Sequence, residues 1–315
     1  MRYRVLVTGA GGFVGGYLLR ALESRLGENA VILGTCRTAE TDRGFSALDV
    51  TDPSAVDAAI ESMRPTHVVN LAGVAAPRAA EEDPLHAWQV NFTGTLSLGN
   101  SILRHAPSCT FLAIGSGLCY GSTAKKGIRL KEDAPLRPVG AYQTSKAAGD
   151  LAAGALALEG LRCVRLRPFN HTGAGQLPGF VAPDFAMQIA RIEAGQAQPV
   201  VRVGNLDAER DFLDVRDVAD SYAAVVERAD DIQTGTALNI ASGKPVRIRE
   251  LLDRLLALST RHDITVESDP SNMRPAEIPY FVGDGSAAER VLGWKPQRKI
   301  EETLTDLLDW CRGRL

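Results

Sequence analysis

Val5-Leu-Val-Thr-Gly-Ala-Gly-Gly-Phe-Val-Gly-Gly-Tyr-Leu-Leu19 is the stretch that decides the fold. Val5 to Thr8 is an apolar, β-branched run that reads as a buried strand, and Phe13, Leu18, Leu19, Leu22 and Leu26 then recur with helical period. Glycines 9, 12 and 15 stand between and within these patterns. A glycine turn directly after a strand and opening a helix implies a dinucleotide site rather than an ordinary strand-to-helix turn. Each glycine has its own expected task. Gly9 makes the tight turn, Gly12 lets the backbone approach a pyrophosphate, and Gly15 lets the helix pack close to the strand. The helix start at Phe13 and Val14 then offers unpaired N–H groups and the positive dipole end to the phosphates.

Outward from this stretch, strand and helix patterns alternate. Val31–Thr35, Phe45–Asp49, His67–Leu71, Thr110–Ser116 and Leu161–Arg167 read as strands. Asp52-Pro53 opens a helix with a capping carboxylate and Pro at its first position. Long helical patterns cover about 84–105 and 141–158. The alternation predicts an α/β fold, a doubly wound parallel sheet with ligands at the carboxyl ends of its strands. From Arg167 to Gly179 the chain is dense in Gly and Pro and reads as a loop. Helix 183–194, a strand near 200–203 and a helix after Val218 follow, and from Gly243 a smaller mixed α/β lobe. The expected division is 1–168 plus about 213–242 for the dinucleotide and 169–212 plus 243–315 for the substrate, which would lie between the lobes.

Bulk properties exclude several classes. Apolar residues make up 45% and charged residues 23% of 315, as in an ordinary globular protein. A formal charge of −3 gives no electrostatic case for nucleic acid, and no apolar run reaches the length of a membrane span. Met-Arg-Tyr-Arg before an apolar run looks like the start of a signal peptide, but the run is short and breaks into glycines, so it reads as the first strand. Five cysteines without C-x-x-C spacing point to reduced thiols and a cytoplasmic protein. Five scattered histidines predict no metal site.

The polar candidates fall at strand ends. Gly34-Thr-Cys-Arg37 ends the second strand, where an NAD site usually carries an acid for the ribose 2′-hydroxyl. Arg37 stands there instead, placed to meet a 2′-phosphate, so NADP(H) is expected, with NAD(H) usable. Ser116 closes the fifth strand, and Tyr142 and Lys146 lie at i and i+4 on one face of the next helix. A free tyrosine titrates at about 10, and bringing it to neutrality takes roughly 4 kcal/mol, which an adjacent ammonium can supply. Serine would hold the substrate oxygen whose proton is exchanged.

The G-x-x-G-x-x-G spacing after Thr8, with Ser116 and Tyr142-Gln-Thr-Ser-Lys146, resembles the extended short-chain dehydrogenase/reductase family, which has a Rossmann fold. Asp49-Val50 and Leu71-Ala72-Gly73 match family positions that flank the adenine and line the dinucleotide. Leu166-Arg-Pro-Phe-Asn-His-Thr-Gly173, Val203-Gly-Asn-Leu-Asp-Ala-Glu-Arg-Asp-Phe212, Arg274-Pro-Ala-Glu277 and Leu292-Gly-Trp-Lys-Pro296 resemble its nucleotide-sugar branch, above all GDP-6-deoxy-4-keto-mannose reductases and GDP-mannose 4,6-dehydratases. The resemblance implies that Asn170, Arg210 and Arg274 grip the substrate pyrophosphate and Glu277 a ribose, which suits arginine's charge and bidentate geometry. Surface salt bridging, for Arg210 with Asp211, is the alternative. A homo-oligomer, dimer or tetramer, is expected.

A dehydratase needs a carboxylic acid one or two places after the strand-end residue, to move the C5 and C6 protons. Gly117 and Leu118 stand there. The expected activity is therefore NADPH-dependent reduction of the C4 ketone of a nucleotide-linked 4-keto-6-deoxy sugar, GDP-4-keto-6-deoxy-mannose first. An NAD-dependent 4-epimerase uses the same Ser, Tyr and Lys and is the main rival, ahead of a 4,6-dehydratase or a non-catalytic dinucleotide sensor.

Overall fold

Alternating buried runs and amphipathic helices set the order of elements. The computed structural model describes residues 2–272 and 278–315. β1 (Tyr3–Thr8) leads through the glycine turn into α1 (Phe13–Leu26); β2 (Ala30–Cys36) and β3 (Ser46–Ala47) precede α2 (Pro53–Met63). β4 (His67–Asn70) is followed by α3 (Pro77–Glu82) and α4 (Pro84–Trp88), and α4 runs on through one π-helical turn (Gln89–Thr93) into α5 (Gly94–His105). β5 (Thr110–Ile114), α6 (Gly140–Leu158), β6 (Cys163–Pro168), β7 (Asn170–Thr172), α7 (Val181–Glu193) and β8 (Val200–Val203) come next. Then follow β9 (Glu209–Asp214), α8 (Val215–Glu227), β10 (Thr236–Ile240), β11 (Pro245–Arg247), α9 (Ile248–Ala257), β12 (Thr265–Ser268), β13 (Tyr280–Phe281), α10 (Ser286–Leu292) and α11 (Ile300–Arg312).

The main sheet has seven strands in the order β10-β6-β5-β4-β1-β2-β3, all parallel. The chain winds outward in both directions from β1 and β4, which defines the crevice at their carboxyl ends as the ligand position of a doubly wound sheet. One face of the sheet buries Val5, Val7 and Val69 with Leu18 and Leu22 of α1 and Tyr222 of α8. The other buries Leu6, Val68 and Phe111 with Ile60 of α2 and Leu98 of α5. A separate core forms from Phe185 and Ile189 of α7, Leu251 and Leu255 of α9 and Leu304 and Leu308 of α11, against β8 and β9. Asp52 caps α2 as expected, its side chain accepting from Ser54 N at 2.9 Å and Ala55 N at 3.2 Å.

β7 and β10 are among the elements that depart from the sequence reading. Asn170–Thr172, within the expected loop, forms β7 parallel to β9, with Asn170 opposite Phe212. Thr236–Ile240, which carries no marked periodicity, is the seventh strand beside β6. Both are too short for a periodic signal and exist because a distant partner strand supplies their hydrogen bonds.

A buried polar network ties the carboxyl ends of β5, β6 and β10 together. Arg167 binds Asp150 bidentately at 3.0 and 2.8 Å, and Arg165 adds a third bond to Asp150 at 2.9 Å. Arg167 also donates to Tyr120 Oη at 2.8 Å, which in turn donates to Asn239 Oδ1 at 2.8 Å. Removing one partner of a buried ion pair strands the other charge. Asp150→Ala should therefore cost about 3–5 kcal/mol of unfolding free energy, measured by urea titration.

Candidate active site

Gly9 in the turn between β1 and α1, and Gly15 in the first turn of α1, permit no side chain. Gly9 has φ +66°, and a Cβ there would lie 2.7 Å from Ala72 N. A Cβ on Gly15 would lie 2.1 Å from Ala10 O, so the helix approaches its own turn as closely as backbone allows. At Gly12 the nearest atom to an added Cβ is Gly9 O at 3.2 Å, and no side chain caps the first turn of α1. The amides of Phe13 and Val14 thus open a cradle of the shape and polarity that a pyrophosphate requires. These residues fit a dinucleotide.

Neighbouring strand ends complete the cradle. Arg37 follows β2 and is exposed. Asp49 accepts from Thr51 Oγ1 at 2.7 Å and Thr51 N at 2.9 Å, which holds its carboxyl below the ordinary range. Val50 is buried beneath Gly94 of α5. Leu71 N donates to Thr8 O at 3.1 Å and Ala72 N to Thr8 Oγ1 at 3.3 Å, so the end of β4 is bound to the start of the glycine turn. At Gly73 an added Cβ would meet Asn91 Oδ1 and Lys146 Nζ, each at 3.0 Å.

Ser116, Tyr142 and Lys146 come together at the same edge. Ser116 caps a tight 3-10 stretch (Gly117–Thr123), its Oγ accepting from Leu118 N at 3.1 Å. Its hydroxyl also acts on Tyr142 of the first turn of α6, favouring the ionised phenol. Lys146 Nζ donates to Ile114 O at 3.1 Å. Burial is the dominant influence on both titrating groups: it raises the Tyr142 phenol, opposed by the Ser116 bond, and pushes the Lys146 ammonium down to about 8. This corrects the expectation that Lys146 chiefly lowers the phenol. In this structure the tyrosine is held as a proton donor.

Asn91, which sequence reasoning missed, lies in the π-helical turn. Its Nδ2 donates to Ser145 Oγ at 3.0 Å and its Oδ1 accepts from Val74 N at 3.0 Å, linking α6 to the segment after β4. Its only sequence signal is an amide in a helical apolar pattern.

Neither residue after Ser116 is an acid, and position 117 has no room for one. A Cβ on Gly117 would lie 2.8 Å from the Phe169 ring, and Leu118 packs against the core. Glu132, upstream of α6, turns inward, its Oε1 accepting from Asn239 N at 2.8 Å. Asp133 is exposed.

Of the expected substrate residues, Asn170 lies on β7 and Arg210 on the paired strand β9, where Asn170 stands opposite Phe212 rather than Arg210. Arg210 donates to Glu209 O at 2.9 Å. Asp211 turns into the protein, accepting from Ser242 N and Oγ and from Gly243 N and Gly283 N. Its buried carboxyl is raised by desolvation, against these four bonds. Arg274 and Glu277 lie outside the described residues. Two contacts unforeseen in sequence join the cofactor helix to the segment after β6: Phe13 stacks on His171 at 6.4 Å, and Tyr17 Oη donates to Ala174 O at 2.7 Å.

A parallel doubly wound sheet with a glycine cradle beside Ser116, Tyr142 and a half-buried lysine defines an extended short-chain dehydrogenase/reductase, an NAD(P)-dependent oxidoreductase. The chain belongs to the GDP-mannose 4,6 dehydratase family, whose model matches residues 6–307. It is 34% identical to the GDP-6-deoxy-D-mannose reductase of Pseudomonas aeruginosa over 98% of each chain. Its fold matches the structure of RMD from Pseudomonas aeruginosa complexed with NADPH, with a TM-score of 0.85 and 31% identity over 99% of this chain and 100% of that one. The Thermus thermophilus UDP-glucose 4-epimerase complex with NAD matches with a TM-score of 0.84 and 25% identity over 99% of each chain.

The depressed Lys146 has a measurable signature. Between about 8 and the ordinary lysine value the unfolded chain binds the proton and the native one does not, so wild-type stability rises with pH across that window. Lys146→Met lacks this contribution. Its stability relative to wild type should fall as pH increases from about 8 to about 10, in paired urea titrations.

Proposed function

We propose that the protein reduces the C4 ketone of GDP-4-keto-6-deoxy-mannose to a GDP-6-deoxyhexose, with NADP(H) preferred and NAD(H) usable. The observation that carries this reading is the Gly117–Phe169 packing, which leaves position 117 without space for a proton-transfer group, with leucine at 118. A site so built handles one carbinol or ketone. The Pseudomonas aeruginosa relative named for the reductase activity supports the same choice over the epimerase.

The dinucleotide supplies the hydride when bound. Gly9, Gly12, Phe13, Val14 and Gly15 would hold its pyrophosphate, Arg37 its 2′-phosphate, and Asp49, Val50, Leu71, Ala72 and Gly73 its adenosine side and the floor beneath it. Ser116 Oγ orients the ketone oxygen, and Tyr142 Oη delivers the proton that completes the alcohol. Lys146 fixes the strand end beneath them through Ile114 O. Asn170 and Arg210, with Arg274 and Glu277, would hold the nucleotide diphosphate. The separate core of α7, α9 and α11 supports a division into a cofactor lobe (1–168 and about 213–242) and a nucleotide-sugar lobe (169–212 and 243–315).

The reading extends to a cytoplasmic homo-oligomer. Among the described residues no helix is long and apolar enough to cross a membrane. Leu151 and Leu158 on α6 and Leu85 on α4 are exposed at 58%, 92% and 77%, an apolar surface suited to a second copy.

Tyr142→Phe should lower turnover by roughly 10²–10⁴-fold while cofactor affinity, measured by nicotinamide fluorescence, stays nearly constant. Given GDP-mannose and NADP⁺, the protein should make no keto sugar. Given the keto sugar and NADPH, it should consume the two in equal amounts. Dehydration of GDP-mannose would refute the argument from Gly117, and interconversion at C4 without net NADPH use would move the protein to the epimerases.

A further inference from the structure

The segment after β2 folds back on the glycine turn. Glu40 and Phe45 pair through their backbones, Glu40 N to Phe45 O at 3.1 Å and Phe45 N to Glu40 O at 3.0 Å. This brings the Glu40 carboxylate to the backbone of Gly11. Its Oε1 lies 2.5 Å from the point a Gly11 Cβ would occupy, with Cys36 Sγ 2.8 Å from the same point. The other carboxylate oxygen accepts from Arg43 Nη1 at 3.0 Å. Arg43 lies over the Phe45 ring at 4.6 Å, and its Nη2 and Arg20 Nη1 stand 3.8 and 3.9 Å from the Cβ position of Gly16.

One carboxylate and two guanidiniums therefore border the glycine turn on the side where Arg37 leaves β2. Sequence spacing finds no acid at the end of β2; the fold returns one from three residues further on. A carboxylate there accepts a hydrogen bond from a ribose 2′-hydroxyl and repels a 2′-phosphate, whereas guanidinium does the reverse. The Glu40–Arg43 pair is roughly half exposed, so little energy opposes its rearrangement.

We propose that Glu40 and Arg43 act as a paired selector at the adenosine 2′ position. Arg43 cancels the Glu40 charge and so admits the phosphate of NADP(H), while Glu40 keeps NAD(H) acceptable. The inference rests on the reading of the glycine turn as the cofactor site.

The test is a double-mutant cycle on binding. Dissociation constants of NADPH and NADH are measured by nicotinamide fluorescence for the wild type, Glu40→Gln, Arg43→Gln and the double variant, with thermal unfolding of each. Glu40→Gln should tighten NADPH by about tenfold, the effect of one charge a few ångströms from a phosphate, and change NADH by less than about twofold, because an amide oxygen still accepts from the hydroxyl. Arg43→Gln should weaken NADPH by about tenfold. In the double variant NADPH should return to within about threefold of wild type, since the charge that Arg43 cancels is gone. Equal shifts for both cofactors in either single variant, or a double variant whose NADPH affinity stays about tenfold away from wild type, would overturn the selector and leave the cofactor site standing. Failure of the wild type to bind either dinucleotide would overturn both.

Discussion

The contact on which the rest depends is backbone against backbone, where α1 meets its own turn and the turn meets the end of β4. Ala10 O stands where a Gly15 Cβ would be, and Ala72 N where a Gly9 Cβ would be. Those two approaches fix how deeply the first amides of α1 sit between β1 and β4. Any added methyl would lift the helix from the strand or push β4 aside, and both movements displace the edge that carries Gly73 and Lys146. The position of the reactive side chains is thus set by two residues that have none.

A second constraint holds the opposite wall. The Asp150–Arg167 pair, with Tyr120 and Asn239, joins α6, β6, β10 and the tight stretch after Ser116 without any surface ion pair. The network is buried and its polar groups are hydrogen-bonded, the condition under which such a pair confers definite geometry. Phe169 continues the same wall and fills the space beside Gly117. Chemistry is narrowed here by packing as much as by the choice of reactive groups.

Much of this was legible in the chain. Val5–Leu19 predicted the strand, turn and helix, Asp52-Pro53 its capped helix, and the i, i+4 spacing of Tyr142 and Lys146 their shared face, because local periodicity and capping act within a few residues. What stayed hidden depends on distant partners. β7 and β10 take their hydrogen bonds from β9 and β6. Glu40 reaches Gly11 only because its backbone pairs with Phe45. The inward turn of Asp211 needs Ser242, Gly243 and Gly283, so its sequence neighbour Arg210 reads as its partner when it is not. The titration of Tyr142 was misjudged for a related reason, since i, i+4 spacing locates an ammonium but does not reveal that its hydrogen bond goes to Ile114 O.

The place of β10 at the edge of the sheet has a consequence for synthesis. β6 is bordered on its outer side only by Thr236–Ile240, so a growing chain that has completed β6 carries an unpaired strand edge until the ribosome has passed Ile240. Arg167 on that strand meanwhile has Asp150 and Tyr120 within reach but lacks the Asn239 that Tyr120 binds. Nascent chains of intermediate length should accordingly be the ones that engage chaperones or pair with one another, and the arrival of one five-residue strand closes both the sheet and the polar network.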